Sequence, residues 1–92
     1  MAITVRFRGP IAGRIPGGAV EIDGQNKLTV AELLSFLIKQ DSYLQTVWSS
    51  PAEIDRDSMI LCNEVDIGVT GGLGSLIDDG DVIMIVPLVH GG

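Results

Sequence analysis

The fold of this chain is decided by one stretch, Thr29-Val30-Ala31-Glu32-Leu33-Leu34-Ser35-Phe36-Leu37-Ile38. Its first residue and Glu32 have the spacing of a capping box, in which two side chains bond backbone N–H groups at a helix start. Apolar residues then recur at the intervals that form one buried stripe on a helix, namely Val30, Leu33, Leu34, Leu37 and Ile38. The stretch therefore predicts an amphipathic α-helix of about three turns.

Two strand patterns precede this helix. Ile3, Val5 and Phe7 alternate with polar residues, which is the period-two pattern of a half-buried strand. A second short run, Ala19 to Asp23, follows a connection rich in glycine and proline, residues 9–18. These two strands are expected to form a hairpin with a long, flexible loop.

Two further strands are predicted after the helix. Met59 to Cys62 is a continuous apolar run, and Asn63 to Asp66 has the composition of a turn. Asp81 to Val86 is apolar on both faces, as expected of a central strand covered on both sides, and Pro87 ends it by removing a backbone donor.

The segment between the main helix and the third strand is less regular. Asp41-Ser42 predicts the cap of a second, shorter helix through Trp48, with Tyr43 and Trp48 at the core or its rim. The polar residues from Ser49 to Asp57 include Pro51, so this segment is interpreted as a loop.

The resulting order, β-β-α-β-β, predicts an α+β protein of the β-grasp type. Its mixed sheet of four to five strands carries one main helix on one face, because parallel strands need a right-handed crossover. The chain divides into a β-grasp domain, residues 1–87, and a flexible Gly-Gly tail, residues 88–92.

Composition limits the function. The net charge of −6 argues against direct nucleic-acid binding, which requires a basic face. No apolar run is long enough to cross a membrane, and the single cysteine, Cys62, excludes an internal disulfide. A soluble, cytoplasmic protein that is monomeric when free is expected.

None of the candidate active sites has a supporting pattern. The glycine-rich run Gly71 to Gly74 lacks the Lys-Ser or Lys-Thr of a phosphate loop. Cys62 lies in an apolar run and is interpreted as buried and inert, and His90 has no partner ligands for a metal. The acidic segment Asp78 to Asp81 is interpreted as a tight turn, since it lacks the ligand ladder of a calcium loop. We therefore predict no catalytic residue and no metal site.

The remaining feature is the tail, Leu88-Val89-His90-Gly91-Gly92, directly after the last strand. Glycine has no Cβ, so its backbone enters channels that exclude other residues. Five extended residues reach about 16 Å, enough to present a carboxylate to a site that the domain itself cannot enter. Gly92 is therefore the candidate reactive group.

The C-terminal third of the chain resembles the ubiquitin-like sulfur-carrier superfamily. The resemblance rests on Met59 to Asn63, Asp66-Ile67, Gly72-Leu73, Leu76 to Asp81 and Pro87 to Gly92. Its members include MoaD, ThiS, the archaeal small modifier proteins and the ubiquitin-related modifier, and His90 before Gly91-Gly92 is most similar to the last of these.

The resemblance implies that the chain is a substrate and carrier, not an enzyme. A ubiquitin-activating-type (E1-like) partner would adenylate Gly92 with its own ATP and magnesium, and the chain itself would bind no cofactor. A sulfur donor would then convert the adenylate to a thiocarboxylate for a downstream sulfur-transfer enzyme. The partner would recognise the tail through Leu88, Val89, His90 and Gly91.

Three functions remain open. The first is sulfur transfer for tRNA thiolation or for molybdopterin or thiamin biosynthesis. The second is protein modification, with Gly92 joined to target lysines, and the third is non-covalent docking of a β-grasp adaptor. For the docking surface we expect an exposed apolar patch that includes some of Leu73, Leu76, Ile77 and Leu88.

Overall fold

In the computed structural model of the chain, which describes residues 2–23 and 27–88, a five-stranded sheet packs against the main helix. The strands are β1 Ala2–Phe7, β2 Ala19–Asp23, β3 Leu28–Thr29, β4 Ser58–Cys62, β5 Val65–Asp66, β6 Leu76–Ile77 and β7 Val82–Pro87. The helices are α1 Val30–Gln40, α2 Ser42–Val47, α3 Pro51–Asp57 and α4 Ile67–Thr70.

The large sheet has the order β2-β1-β7-β4-β5, and β3 pairs separately with β6. β1 runs antiparallel to β2 and parallel to β7, which in turn runs antiparallel to β4. The first and last strands are therefore neighbours at the centre of a mixed sheet. This arrangement confirms the predicted β-grasp fold.

The core lies between the sheet and α1. β1 and β7 bury alternate side chains, so that one face of each strand contributes to it. The helix adds its predicted stripe, and all five stripe residues are buried. The fully buried side chains of the core include Ile3, Val5, Val30, Leu33, Leu34, Ile77, Ile83 and Ile85.

Both predicted helix starts are confirmed by their capping hydrogen bonds. The Glu32 N–H donates to Thr29 Oγ1 at 3.1 Å, and the Thr29 N–H donates to Glu32 Oε1 at 2.9 Å. Asp41 Oδ1 accepts from the N–H groups of Tyr43 and Leu44, at 2.8 and 3.2 Å, and so begins α2. These side chains satisfy donors that have no partner within the helix.

The prediction of a loop for residues 49–57 is wrong for Pro51–Asp57, because these residues form α3. Ser50 is the N-cap and accepts from the Glu53 N–H at 3.4 Å, while Pro51 occupies the first helical position. Proline is favoured there because its missing N–H has no helical partner anyway. Ile54 anchors the helix in the core with 1% exposure.

The first loop is anchored to the domain rather than flexible, contrary to the expectation from its composition. It forms two 3₁₀ turns, Pro10–Arg14 and Pro16–Gly18. Ile11 and Ile15 are buried in the core. The Arg14 guanidinium lies 5.3 Å from the centroid of the Tyr43 ring, a cation–π distance.

The glycine-rich segment that follows β5 also has regular structure. It contains α4, for which Asp66 accepts from the Gly68 N–H at 2.8 Å, and a 3₁₀ turn, Gly72–Gly74. Gly71 joins the two with a φ of 129°, a conformation that side chains disfavour. Ile67 is buried, so it attaches this segment to the core.

The last strand is central, as predicted, but it is not covered on both sides. Ile83 and Ile85 are fully buried, whereas Val82, Met84 and Val86 on the opposite face are only half-buried. No helix among the described residues is long and apolar enough to cross a membrane.

Ser58 gives a test of the packing at the start of β4. Its hydroxyl is buried and has no hydrogen-bond partner within the described residues. Because an unpaired buried hydroxyl has a desolvation cost, Ser58→Ala is expected to leave the free energy of unfolding unchanged or to raise it by up to about 1 kcal/mol. Urea denaturation measures the difference.

Ser50→Ala is the matched control, since it removes a hydroxyl that caps α3. It is expected to lower the free energy of unfolding by about 1 kcal/mol. Equal losses in the two variants would contradict the assignment of Ser58 as unpaired.

Candidate functional site at the end of the last strand

The last described residue is Leu88, which is also the first residue of the predicted tail. Its N–H donates to the Asp57 carbonyl at 2.8 Å, and its side chain is 49% exposed. Pro87 pairs in register with Ser58. The predicted tail, residues 88–92, therefore begins at the junction of α3 and β4. The predicted reactive residue Gly92, with Val89, His90 and Gly91, lies outside the described residues, so these assignments stay predictions.

The first strand borders the same exit. The Arg8 N–H donates to the Ile85 carbonyl at 3.0 Å, and a Cβ placed on Gly9 would lie 3.9 Å from Pro87 Cδ. On the other side, Arg56 Nε contacts Asp57 Oδ1 at 2.8 Å. This ion pair is exposed, so it contributes little to stability. Two exposed arginines therefore flank the end of β7, namely Arg8 after β1 and Arg56 in α3.

A groove of about 450 Å³ runs along the uncovered face of the sheet. Met84 lies at its centre, because it pairs in register with Arg6 on one side and Leu61 on the other. We call this surface the outer-face groove; its lining residues are Arg6, Arg8, Leu61, Asn63, Glu64, Val82 and Met84. The apolar side chains lie beside two cations, Arg6 and Arg8, and one anion, Glu64, so the groove suits a partner that offers both apolar and acidic side chains.

The predicted docking patch is only partly exposed. Ile77 is fully buried and Leu73 packs against the core, so neither forms an open surface. Leu76 is 62% exposed and Leu88 is 49% exposed. The two side chains of β6 point to opposite faces, so Ile77 is buried while Leu76 is exposed. The expected patch therefore reduces to Leu76 and Leu88.

Sequence reasoning missed the outer-face groove. The positive charge of the groove could have been predicted, since the alternation that buries Ile3, Val5 and Phe7 places Arg6 and Arg8 on the opposite face. The exposure of its apolar floor could not, because β7 is apolar at every position and its sequence does not show which face is exposed to solvent.

The predicted acidic turn is confirmed and is tied to Asn63, which directly follows β4. Asp81 Oδ2 accepts from the Asp78 N–H at 2.8 Å, and Asp81 Oδ1 accepts from Asn63 Nδ2 at 2.9 Å. The Val82 N–H donates in turn to Asn63 Oδ1 at 2.9 Å. These bonds occupy the Asp81 carboxylate. Within residues 2–23 and 27–88, no cluster of His, Cys, Asp or Glu has the arrangement to hold a metal ion.

Cys62 is less buried than predicted, but its surroundings keep the thiol protonated. It is half-buried, and its Sγ lies 3.9 Å from Asp81 Oδ2. Burial raises the pKa of the Cys62 thiol, and the negative charge and hydrogen bond of Asp81 raise it further. Because the thiolate is the nucleophile, Cys62 is a poor one at neutral pH.

The model of the ThiS family matches residues 13–92 of this sequence. The chain belongs to the ThiS family. The match begins within the first loop and extends through the Gly-Gly pair, so it covers most of the domain and the whole tail. It confirms the resemblance drawn from residues 59–92.

Relatives and solved structures agree with this family. The sulfur carrier protein CysO of Mycobacterium tuberculosis is 43% identical over 44 residues, which span 48% of this chain and 47% of that protein. The chain thus matches about half the length of its curated relatives. In the crystal structure of the Amycolatopsis orientalis BexX/CysO complex, one chain aligns with 25% identity and a TM-score of 0.70, covering 99% of this chain and 100% of that one.

The small archaeal modifier protein SAMP1 from Haloferax volcanii supports the fold alone. It aligns over the full length of both chains with a TM-score of 0.76 but only 20% identity. At this identity the likeness describes architecture, and chemistry must be argued from the site.

Asp81→Asn tests the electrostatic control of Cys62 in the ThiS family protein. Removing the charge lowers the thiol pKa, so the thiolate fraction at a fixed pH below that pKa rises. We expect faster alkylation by iodoacetamide in the folded variant, with a pH profile displaced to lower pH. Alkylation in denaturant, where the two groups are no longer held together, is the control. Equal folded-state profiles would contradict the role of Asp81.

Proposed function

We propose that the protein is a ubiquitin-like sulfur carrier whose Gly92 carboxylate, once free, is activated by an E1-like enzyme and converted to a thiocarboxylate. The observation that carries this proposal is the ThiS family match, which continues from the β-grasp domain through Gly91-Gly92. The name of the similar CysO proteins, sulfur carrier protein, points to the same chemistry.

The proposed activation divides the chemistry between two proteins. A carboxylate oxygen of Gly92 attacks the α-phosphate of ATP, and pyrophosphate leaves. A sulfur nucleophile at the oxidation level of hydrosulfide then attacks the acyl carbon, and AMP leaves. ATP, magnesium and the groups that stabilise the transition state belong to the partner. This chain contributes a carboxylate on a narrow tail and a surface for docking.

The outer-face groove is the proposed docking surface for the activating partner. Its rim includes Arg8, whose backbone is bonded to β7 two residues before Pro87. A partner bound there lies close to the departure point of the tail at Leu88. Docking and insertion of the tail are then coupled, which raises the local concentration of the carboxylate at the active site.

The alternative of protein modification keeps the same activation but ends with a target lysine in place of sulfur. Its support is the likeness of this fold to that of the small archaeal modifier protein SAMP1. A shared fold alone does not decide which chemistry follows activation. A non-covalent adaptor would not need the Gly-Gly pair that the family match includes. Sulfur transfer is therefore the function that we favour, and its downstream pathway is left open.

Changes at Gly92 test the proposed chemistry. Gly92→Ala and deletion of Gly92 are expected to abolish adenylation, because the carboxylate is displaced or crowded in a channel built for glycine. With the activating enzyme, ATP and a sulfur donor, mass spectrometry should show one oxygen replaced by sulfur in the unsubstituted protein and in neither Gly92 variant. The melting temperature should be the same in all variants.

Gly13→Ala is the matched control, since a Cβ there meets no atom within 4 Å. It should be converted like the unaltered protein. Full conversion of the protein lacking Gly92 would contradict the proposal.

Met84→Glu tests the docking surface. The carboxylate would stand in the apolar floor of the outer-face groove, so we expect the KM of the activating enzyme for this protein to rise about tenfold or more, with little change in kcat. Val69→Glu is the control, because Val69 is 79% exposed and does not line the groove. An equal effect in both variants would argue against docking at this face.

A further inference from the structure

The second strand leaves one row of backbone groups unpaired at the edge of the sheet. Within the described residues, β2 has β1 as its strand neighbour and lies at the end of the strand order. The Thr4 N–H donates to the carbonyl of Asp81, directly before β7, at 3.1 Å, and the Arg8 N–H donates to the Ile85 carbonyl of β7 at 3.0 Å. The alternate residues Ile3 and Val5 therefore direct their backbone groups toward β2.

The register then identifies which groups face outward. Ile3 pairs with Ile22 and Val5 pairs with Val20, so these two residues of β2 use their backbone groups within the sheet. The N–H and C=O groups of Ala19, Glu21 and Asp23 therefore point away from β1. An edge of this kind accepts an additional strand through main-chain hydrogen bonds.

A groove of about 510 Å³ continues from this edge onto the main helix. Its apolar lining joins β2 to α1 and consists of Val20, Ile22, Leu28, Phe36 and Leu37. Phe36 is 44% exposed although it lies within an amphipathic helix. A strand added to β2 would direct alternate side chains into this groove, which we call the edge groove.

The charged side chains that line the edge groove are all acidic. Glu21 and Asp23 are exposed on the edge strand, and Glu32 lies at the start of α1. Side chains of an added strand that do not enter the groove would lie next to those of β2. They are therefore favoured if they are Lys or Arg.

We propose that the edge groove binds an extended peptide segment in which basic and apolar residues alternate, as an additional strand on β2. Apolar side chains contact Phe36 and its neighbours, and basic side chains face Glu21 and Asp23. This interaction is independent of the proposed chemistry at Gly92, because β2 is an edge strand of the sheet, whereas Leu88 follows the central strand β7, which pairs with β4.

A second copy of this chain is a poor occupant of the same edge. Pairing two β2 strands would place Glu21 and Asp23 of one copy against the same carboxylates of the other. Edge charges also protect sheets from aggregation, but that role requires no apolar groove or exposed phenylalanine beside the edge.

The test uses the full chain labelled with ¹⁵N and the peptide acetyl-Lys-Val-Lys-Val-Lys-Val-amide as the probe. We expect the amide resonances of Ala19, Glu21 and Asp23 to shift on titration and to become protected from hydrogen exchange. The same peptide with alternate nitrogens methylated cannot form the strand and should not bind. A peptide with Glu in place of Lys should also fail.

Two variants and a control separate the parts of the interaction. Phe36→Ala and Glu21→Lys should each weaken binding by about tenfold, while Val47→Ala, an exposed apolar residue outside the groove, should have no effect. Shifts around Met84, equal binding of the methylated peptide, or concentration-dependent pairing of β2 with itself would each overturn the proposal.

Discussion

The parallel pairing of β1 with β7 is the constraint on which the rest of the structure depends. Thr4 to Phe7 align with Val82 to Ile85, so the two ends of the domain meet at the centre of one sheet. A parallel pair cannot be joined by a tight turn. The intervening chain must cross one face of the sheet, and α1 with its five buried residues covers that face.

This pairing also leaves the opposite face of the sheet without a second layer among the described residues. Met84 illustrates the consequence, since it belongs to the most central strand and yet is only half-buried. Arg6 beside it adds a positive charge to a protein whose net charge is −6. The lining of the outer-face groove, with two arginines and one glutamate, thus has a net positive charge in an acidic protein, which is a property expected of a recognition surface.

The same architecture disfavours ionisation of the Cys62 thiol. Asp81 is held by Asn63 and by the turn before β7, and in this position its charge lies beside Cys62. The thiol therefore stays protonated and competes poorly with other nucleophiles. In the proposed function a protonated Cys62 is an advantage, because an internal thiolate would be an acceptor for the activated carboxyl group.

The sequence by itself determined the elements whose signals are local. Helix α1, its capping box, the alternation in β1 and the turn before β7 follow from the spacing of a few neighbouring residues. Ser50 and Pro51 carried such a signal for α3 as well, and it was outweighed by the polar composition of that segment. Only the tertiary structure decided that Ile77 is buried, that the side chain of Met84 lines a solvent-exposed groove and that Glu21 lies on an edge strand of the sheet. The physical reason is that burial and edge position depend on which strands become neighbours, and those neighbours are distant along the chain.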